Sequence, residues 1–169
     1  MRLRNLLPKD APHMLSWMHD DSINRFFTVD FKCFEEKNAL DFIEAAQADP
    51  HHVHLACVDE DDTYLGTVSL KNINHTHKNA EYAICMCKHA HGTGAAKFAT
   101  DEIIRIAFMD KGLERVYLSV LAKNIRANAF YQKQGFTFEG TFQKHVYLNG
   151  EFCDLNWYGV MKEQFFKKD

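Results

Sequence analysis

The run Asn124-Ile125-Arg126-Ala127-Asn128-Ala129-Phe130-Tyr131-Gln132-Lys133-Gln134-Gly135-Phe136 follows the apolar stretch Arg115 to Val120 and reads as a short helix after a strand. Asn124 is suited to cap that helix, because its side-chain oxygen can accept from an amide of the first turn, and Gly135 is suited to close it in the left-handed conformation. Asn124, Ala127 and Tyr131 then share one helical face, and the small Ala127 leaves room for a ligand beside the phenol. A core role for Tyr131 and a purely local cap at Asn124 explain the same residues.

Working outward, Glu81 to Met86 reads as a strand, His89-Ala90-His91-Gly92-Thr93-Gly94 as a turn, and Ala95 to Met109 as a helix. Such a turn can hold a phosphate: glycines let backbone approach an anion, and the free N–H groups of a first helical turn point at it. A dinucleotide loop requires a third glycine where this chain has Lys97, and a nucleoside-triphosphate loop requires Gly-Lys-Ser/Thr, which is absent. A plain tight turn remains the alternative. Ala96, Ala99, Ile103 and Ile106 or Ala107 recur at helical spacing as a face for packing on a sheet, and Gly112 ends the helix.

Glu81, the glycine loop, Asn124, Tyr131 and Gly135-Phe136 stand in the order and spacing of the GNAT superfamily of N-acetyltransferases, which the chain resembles. It is most similar to the branch holding ribosomal-protein N-terminal acetyltransferases and spermidine N-acetyltransferases. The likeness runs from the opening Leu-Arg strand through Trp17, Ile73-Asn74-His75, Ala80-Glu81 and Glu139-Gly140 to Asn149-Gly150. It implies an α/β (α+β) acyl-CoA N-acyltransferase fold: a mixed, mostly antiparallel sheet of about seven strands, splayed between the fourth and fifth and flanked by about four helices. The family's loop usually begins with Gln or Arg where this chain has His89, so His91 or Lys97 is the candidate cation for the pyrophosphate.

The resemblance implies acetyl-CoA as co-substrate, held by Cys85, Met86, Cys87, His89, His91, Gly92, Thr93, Gly94, Ala95, Ala96, Asn124, Ala127 and Tyr131. Moving an acetyl group from a thioester to an amine poses three demands. The amine must lose a proton, and Glu81, directly or through water, is the candidate base. A solvated edge carboxylate is the other reading of Glu81. The tetrahedral intermediate needs donors, for which backbone N–H groups around Cys85 to Cys87 are placed. CoA must leave as a thiol, and Tyr131 is the candidate acid.

The series Cys85-x-Cys87-x-His89-x-His91 also offers four zinc-ligand types. Alternate residues of an extended strand stand roughly 6.5–7 Å apart, too far for four to converge on one ion, so no metal is expected. His51-His52-x-His54 and His75-Thr76-His77 are read as strand flanks in solvent. The chain has 169 residues, a net charge of −3 and five cysteines. That length fits one domain over 1–169; unpaired thiols fit a cytoplasmic protein; and the absence of a basic block or long apolar run argues against nucleic acid and membrane.

The remaining elements are read as a strand Arg2 to Leu6, a helix from Ala11 to about His19 capped by Asp10, and a loop through Asp30. A helix Glu35 to Ala48 follows, with Leu40, Ile43 and Ala46 or Gln47 on its face. Strands Val53 to Val58, Tyr64 to Ile73 and Asn79 to Met86 form a meander, and Thr137 to Tyr147 with Glu151 to Lys162 a hairpin turned at Asn149-Gly150. The acceptor is expected to be a small-molecule amine, a polyamine or a nucleotide-linked amino sugar. Asp20, Asp21, Asp30, Glu35 and Glu36 are candidate attractors, and Phe26, Phe27 and Phe31 candidate stacking groups. A protein amino terminus and a catalytically idle acyl-CoA-binding module are the alternatives, and a homodimer is compatible with the terminal strands.

Overall fold

The computed structural model describes residues 1–167. Seven strands make one sheet: β1 (Arg2–Asn5), β2 (Val53–Val58), β3 (Tyr64–Asn74), β4 (Asn79–Met86), β5 (Arg115–Leu121), β6 (Thr137–Leu148) and β7 (Glu151–Met161). Their spatial order is β1-β2-β3-β4-β5-β7-β6. All neighbours are antiparallel except β4 and β5, which run parallel. That pair is joined only at Asn79↔Arg115, Ala80↔Val116 and Glu81↔Tyr117, and beyond Glu81 the strands part. The splay expected from the resemblance is therefore present, with Glu81 and Tyr117 at its apex.

The helices are α1 (Ala11–Met18), α2 (Asp21–Asn24), α3 (Glu36–Ala48), α4 (Ala95–Arg105), α5 (Ile125–Lys133) and α6 (Lys162–Phe166). They cover the sheet on two faces, because alternate residues of each strand point to opposite sides. On one face Ala56, Val58, Tyr64 and Cys87 pack with Met14, Trp17, Ala39 and Ile43 of α1 and α3. On the other, Val68, Leu70 and Tyr82 pack with Ala95, Ala99, Ile103 and Ile104 of α4. Each fully buried aliphatic side chain contributes about 1.5–3 kcal/mol to that packing.

Several local expectations change. Asp10 does not cap α1: its carboxylate accepts from Arg4 at 2.7 and 2.9 Å and from the Leu7 amide at 2.8 Å, a use that a charged partner makes stronger than a cap. The loop before Asp30 contains α2, capped by Asp20 through the Ser22 amide at 2.8 Å. On α3, Ala39 and Ile43 are buried while Leu40 is 37% exposed, so the face is centred one residue earlier than its apolar letters indicate. The glycine-loop helix stops as an α-helix at Arg105 and widens into a π-helical turn, Ile106–Asp110, before Gly112 turns the chain at φ 64°. Lys162 begins α6 rather than ending the strand. At the hairpin, Asn149 and Gly150 have φ of 53° and 85°, the pair of positive values that a type I′ turn requires. His54 lies within β2, half-buried, with its Nδ1 against Ser69 Oγ at 2.7 Å. Burial, first, and the neighbouring His52 and Lys71 push its pKa down to about 4.

Candidate active site

The glycine loop takes its shape from two residues in left-handed backbone, Gly92 at φ 80° and Gly94 at φ 87°. A Cβ at either would meet nothing within 4 Å, so the requirement is conformational and not one of space. Gly94 is the N-cap of α4, and Thr93 braces the loop by donating its hydroxyl to the Ala90 carbonyl at 2.8 Å and accepting from the Ala95 amide at 3.3 Å. With the Ala95 amide taken by Thr93, the Ala96 and Lys97 amides have no upstream carbonyl to engage and are directed outward from the helix end.

In front of the loop lies a cleft of about 350 Å³. Met86, His91, Gly92, Gly94 and Ala96 of the expected cofactor set line it. Its opposite wall is α5, through Arg126, Phe130, Lys133 and Gln134. Sequence reasoning gave this helix to the cofactor through Asn124, Ala127 and Tyr131, which are not in the lining, and missed Arg126, Phe130 and Lys133, whose i, i+4, i+7 spacing makes them one helical stripe. His89 is turned away, its Nε2 against the Tyr64 carbonyl at 3.2 Å. Lys97 reaches the cleft but is paired with Asp101 at 2.5 Å. Thr93 and Ala95 act as loop brace and buried first-turn residue.

Asn124 caps α5 as expected, accepting from the Ala127 amide at 3.2 Å. One turn on, Asn128 is 9% exposed and uses its amide fully. Its Nδ2 donates to the Leu121 and Asn124 carbonyls at 3.0 and 2.8 Å, while its Oδ1 accepts from Asn156 at 2.8 Å and Tyr158 at 2.9 Å. This ties α5 to both β5 and β7. Tyr131 follows on the same helix, its ring set against Tyr82, Phe136 and Tyr158 at centroid distances of 6.0, 5.9 and 6.2 Å. Desolvation, with a smaller contribution from Cys85, pushes the phenol up to about 12. Its hydroxyl makes no hydrogen bond among the described residues, while its aromatic body is packed on three sides.

The β3–β4 register is unbroken from Glu81 to Met86, so Glu81, Ala83 and Cys85 share a face and Tyr82, Ile84 and Met86 the other. The Cys87 amide donates to the Leu65 carbonyl at 2.8 Å. By antiparallel alternation the odd-numbered amides of β4 are spent on β3, and the Ile84 and Met86 amides face the splayed gap. Of the amides from Cys85 to Cys87, only that of Met86 is left facing the gap, while the Cys85 and Cys87 side chains pack with the cluster under α1 and α3. Burial pushes the Cys87 thiol up to about 11 and the Cys85 thiol further in the same direction.

Glu81 sits at the apex of the splay, accepting from Lys71 Nζ at 2.9 Å and Asn72 Nδ2 at 3.1 Å. Asn72 is aimed by a left-handed backbone, φ 52°, at the irregularity between Lys71 and Asn74. The four zinc-ligand types do not gather: His89 and His91 turn to separate carbonyls, and no group of three or more His, Cys, Asp or Glu among the described residues has metal-holding geometry.

Residues 1–137 match the acetyltransferase (GNAT) domain family. The chain belongs to that family. This acetyltransferase is 28% identical over 170 residues to spermidine N(1)-acetyltransferase of Escherichia coli (strain K12), across 98% of the chain and 88% of that protein. It is 29% identical over 105 residues to the putative ribosomal N-acetyltransferase YdaF of Bacillus subtilis (strain 168), covering 62% of the chain and 57% of that protein. Its fold superposes on the crystal structure of spermidine N-acetyltransferase from Vibrio cholerae in complex with CoA and spermine, with a TM-score of 0.89 and 21% identity. That superposition covers 98% of this acetyltransferase and 97% of that chain.

A second cleft, of about 570 Å³, lies between the segment from α2 to Lys32 and the hairpin turn at Leu148 and Asn149. Asp21 and Asp30 line it beside Arg25 and Lys32, together with Phe27 and Phe31. Those phenylalanines are also packing groups: Trp17 meets Phe27 at 5.9 Å and Phe31 at 5.5 Å, and Phe31 meets Phe34 at 5.2 Å. Phe26 lies outside the lining, with the Arg25 guanidinium 4.7 Å from its ring centre. No helix among the described residues is long and apolar enough to cross a membrane.

Proposed function

We propose that the chain transfers the acetyl group of acetyl-CoA directly to a primary amine of a small molecule, with Tyr131 as general acid. The observation that carries this reading is the Tyr131 phenol: held on a braced helix, kept protonated by its surroundings, and with its hydroxyl uncommitted to any residue. The cofactor's phosphates lie at the Gly92–Gly94 loop and its thioester reaches the gap between β4 and β5. The amine nitrogen adds to the thioester carbonyl, and the Met86 amide donates to the oxyanion. As the C–S bond breaks, Tyr131 gives its proton to the departing sulfur and recovers one from solvent.

Glu81 still has unused lone pairs on both carboxylate oxygens, so the ammonium proton passes to it through a water at the apex of the splay. Cys85 stays a neutral thiol at the pH where the enzyme works, which supports direct attack over an acyl-cysteine relay, since only a thiolate is a competent nucleophile.

A polyamine is the acceptor that the relatives favour, and Asp21, Asp30 and the aromatic faces of the second cleft offer an alkylammonium chain its contacts alongside Arg25 and Lys32. The likeness to the Bacillus protein and the breadth of that cleft favour a protein amino terminus as the second reading. Thiol release from acetyl-CoA, assayed with polyamines, nucleotide-linked amino sugars and amino-terminal peptides, separates them. Turnover with polyamines is the expected result. Turnover confined to peptides reverses the choice of acceptor, and thiol release with none of the amines, by protein that binds CoA, overturns the catalytic reading.

A further inference from the structure

The wall of the first cleft supplied by α5 carries two cations that form no ion pair with a carboxylate among the described residues, Arg126 and Lys133. Of the other cations near the loop, Lys97 is neutralised by Asp101, His89 is turned to the Tyr64 carbonyl, and Lys88 lies outside the cleft lining with its charge felt by Asp20. Arg126 reaches instead across the cleft to the loop, its Nη1 donating to His91 Nδ1 at 3.4 Å. The other nitrogen of that imidazole, Nε2, faces the Met86 carbonyl at 3.2 Å. This fixes the tautomer, with Nε2 bearing the hydrogen and Nδ1 open to accept. His91 is therefore a neutral prop: it aims the guanidinium without cancelling its charge.

We propose that Arg126 binds a phosphate group of CoA, supplying from α5 the fixed positive charge that the glycine loop itself lacks. The proposal rests on the acetyl-CoA reading above. A guanidinium offers a planar fork that matches a phosphate, and a charged hydrogen bond of this kind is among the stronger polar contacts. Arg126 lies in the first turn of α5 and His91 in the loop leading into α4, so one anion held between them draws the two walls of the cleft together. Two parts of CoA carry this chemistry, the diphosphate and the 3′-phosphate, and the test distinguishes them.

Binding to the full chain is measured calorimetrically for CoA, 3′-dephospho-CoA and pantetheine, with wild type, Arg126→Gln and, as a neighbouring control, Lys97→Gln. Arg126→Gln is expected to weaken CoA roughly tenfold or more, to flatten the salt dependence of its affinity, and to leave pantetheine binding unchanged. An equal loss for dephospho-CoA assigns the contact to the diphosphate, and a loss confined to CoA assigns it to the 3′-phosphate. Lys97→Gln, already paired with Asp101 in the parent, is expected to change CoA affinity far less. Arg126→Gln binding CoA as tightly as wild type, or losing pantetheine in equal proportion, overturns the proposal alone. Wild type failing to bind CoA overturns it together with the reading on which it rests.

Discussion

Replacing Tyr131 by phenylalanine removes one oxygen and leaves a ring of the same shape among Tyr82, Phe136 and Tyr158. That oxygen donates to no described residue, so the folded state loses no internal hydrogen bond and the melting temperature should stay within about a degree of wild type. Catalysis should respond differently. With the phenol pushed up to about 12, only roughly one molecule in ten thousand is ionised at pH 8, against one in a hundred for an unperturbed tyrosine near 10. The proton needed by the leaving sulfur is thus present throughout the working range.

Its loss should lower kcat by about 10²–10⁴, the usual worth of general acid catalysis, with the Kd for CoA unchanged. The sign for pH follows from the raised value: the acid form is lost only as pH rises through about 12, so wild-type kcat should show no falling limb from this group below pH 10. Stopped-flow thiol release from pH 6 to 10, with calorimetric CoA binding on the same preparations, measures both. Unaltered turnover in Tyr131→Phe would refute the assignment. A falling limb near pH 10 that vanishes in the variant would refute the account of how burial sets the phenol.

Asn128→Leu removes four hydrogen bonds that join α5 to β5 and β7, and should cost about 2–4 kcal/mol in urea unfolding. Asn128→Asp, which keeps an acceptor for Tyr158 and Asn156, should fall between it and wild type. Gly66→Ala puts a Cβ 2.8 Å from Met86 Cα and closer still to the Cys85 carbonyl oxygen, forcing β3 from β4 beside the splay. A loss of about 2 kcal/mol or more in stability, with weaker CoA binding, is expected, and a neutral effect would contradict the β3–β4 geometry. Asp62, held by Lys9 and Arg4, has its carboxyl lowered to about 2 from an ordinary 3.8. Its contribution is present above the ordinary value and lost as pH falls through about 2, so melting curves of wild type and Asp62→Asn should differ at pH 7 and converge at the acid end of that window.

Elements whose cause is local were legible from the chain alone. Asn124 and Gly135 bound α5 through a cap and a left-handed residue, Asn149-Gly150 turn the hairpin, and paired positive φ values shape the loop at Gly92 and Gly94. Each depends on backbone preferences within a few residues, which is what a sequence displays directly. The strand order follows the resemblance, because spacing between such markers carries topology that no single segment does. Less legible were the places where a side chain has rival partners. Asp10 was read as a cap and serves Arg4, since a guanidinium six residues back outcompetes the helix's own amides once the fold brings it close.

What the sequence by itself determined, then, was the set of parts: a carboxylate on a strand, a glycine turn after that strand and before a helix, and a capped helix bearing Tyr131. Only the tertiary structure decided how those parts face one another. It spent the Cys87 amide on Leu65, set Glu81 against Lys71 and Asn72, turned His89 from the cleft, and brought Arg126 to His91. The reason is physical: helical and turn geometry are set by neighbours along the chain, whereas hydrogen-bond partners, burial and the resulting proton affinities depend on groups that become neighbours only when the sheet is assembled.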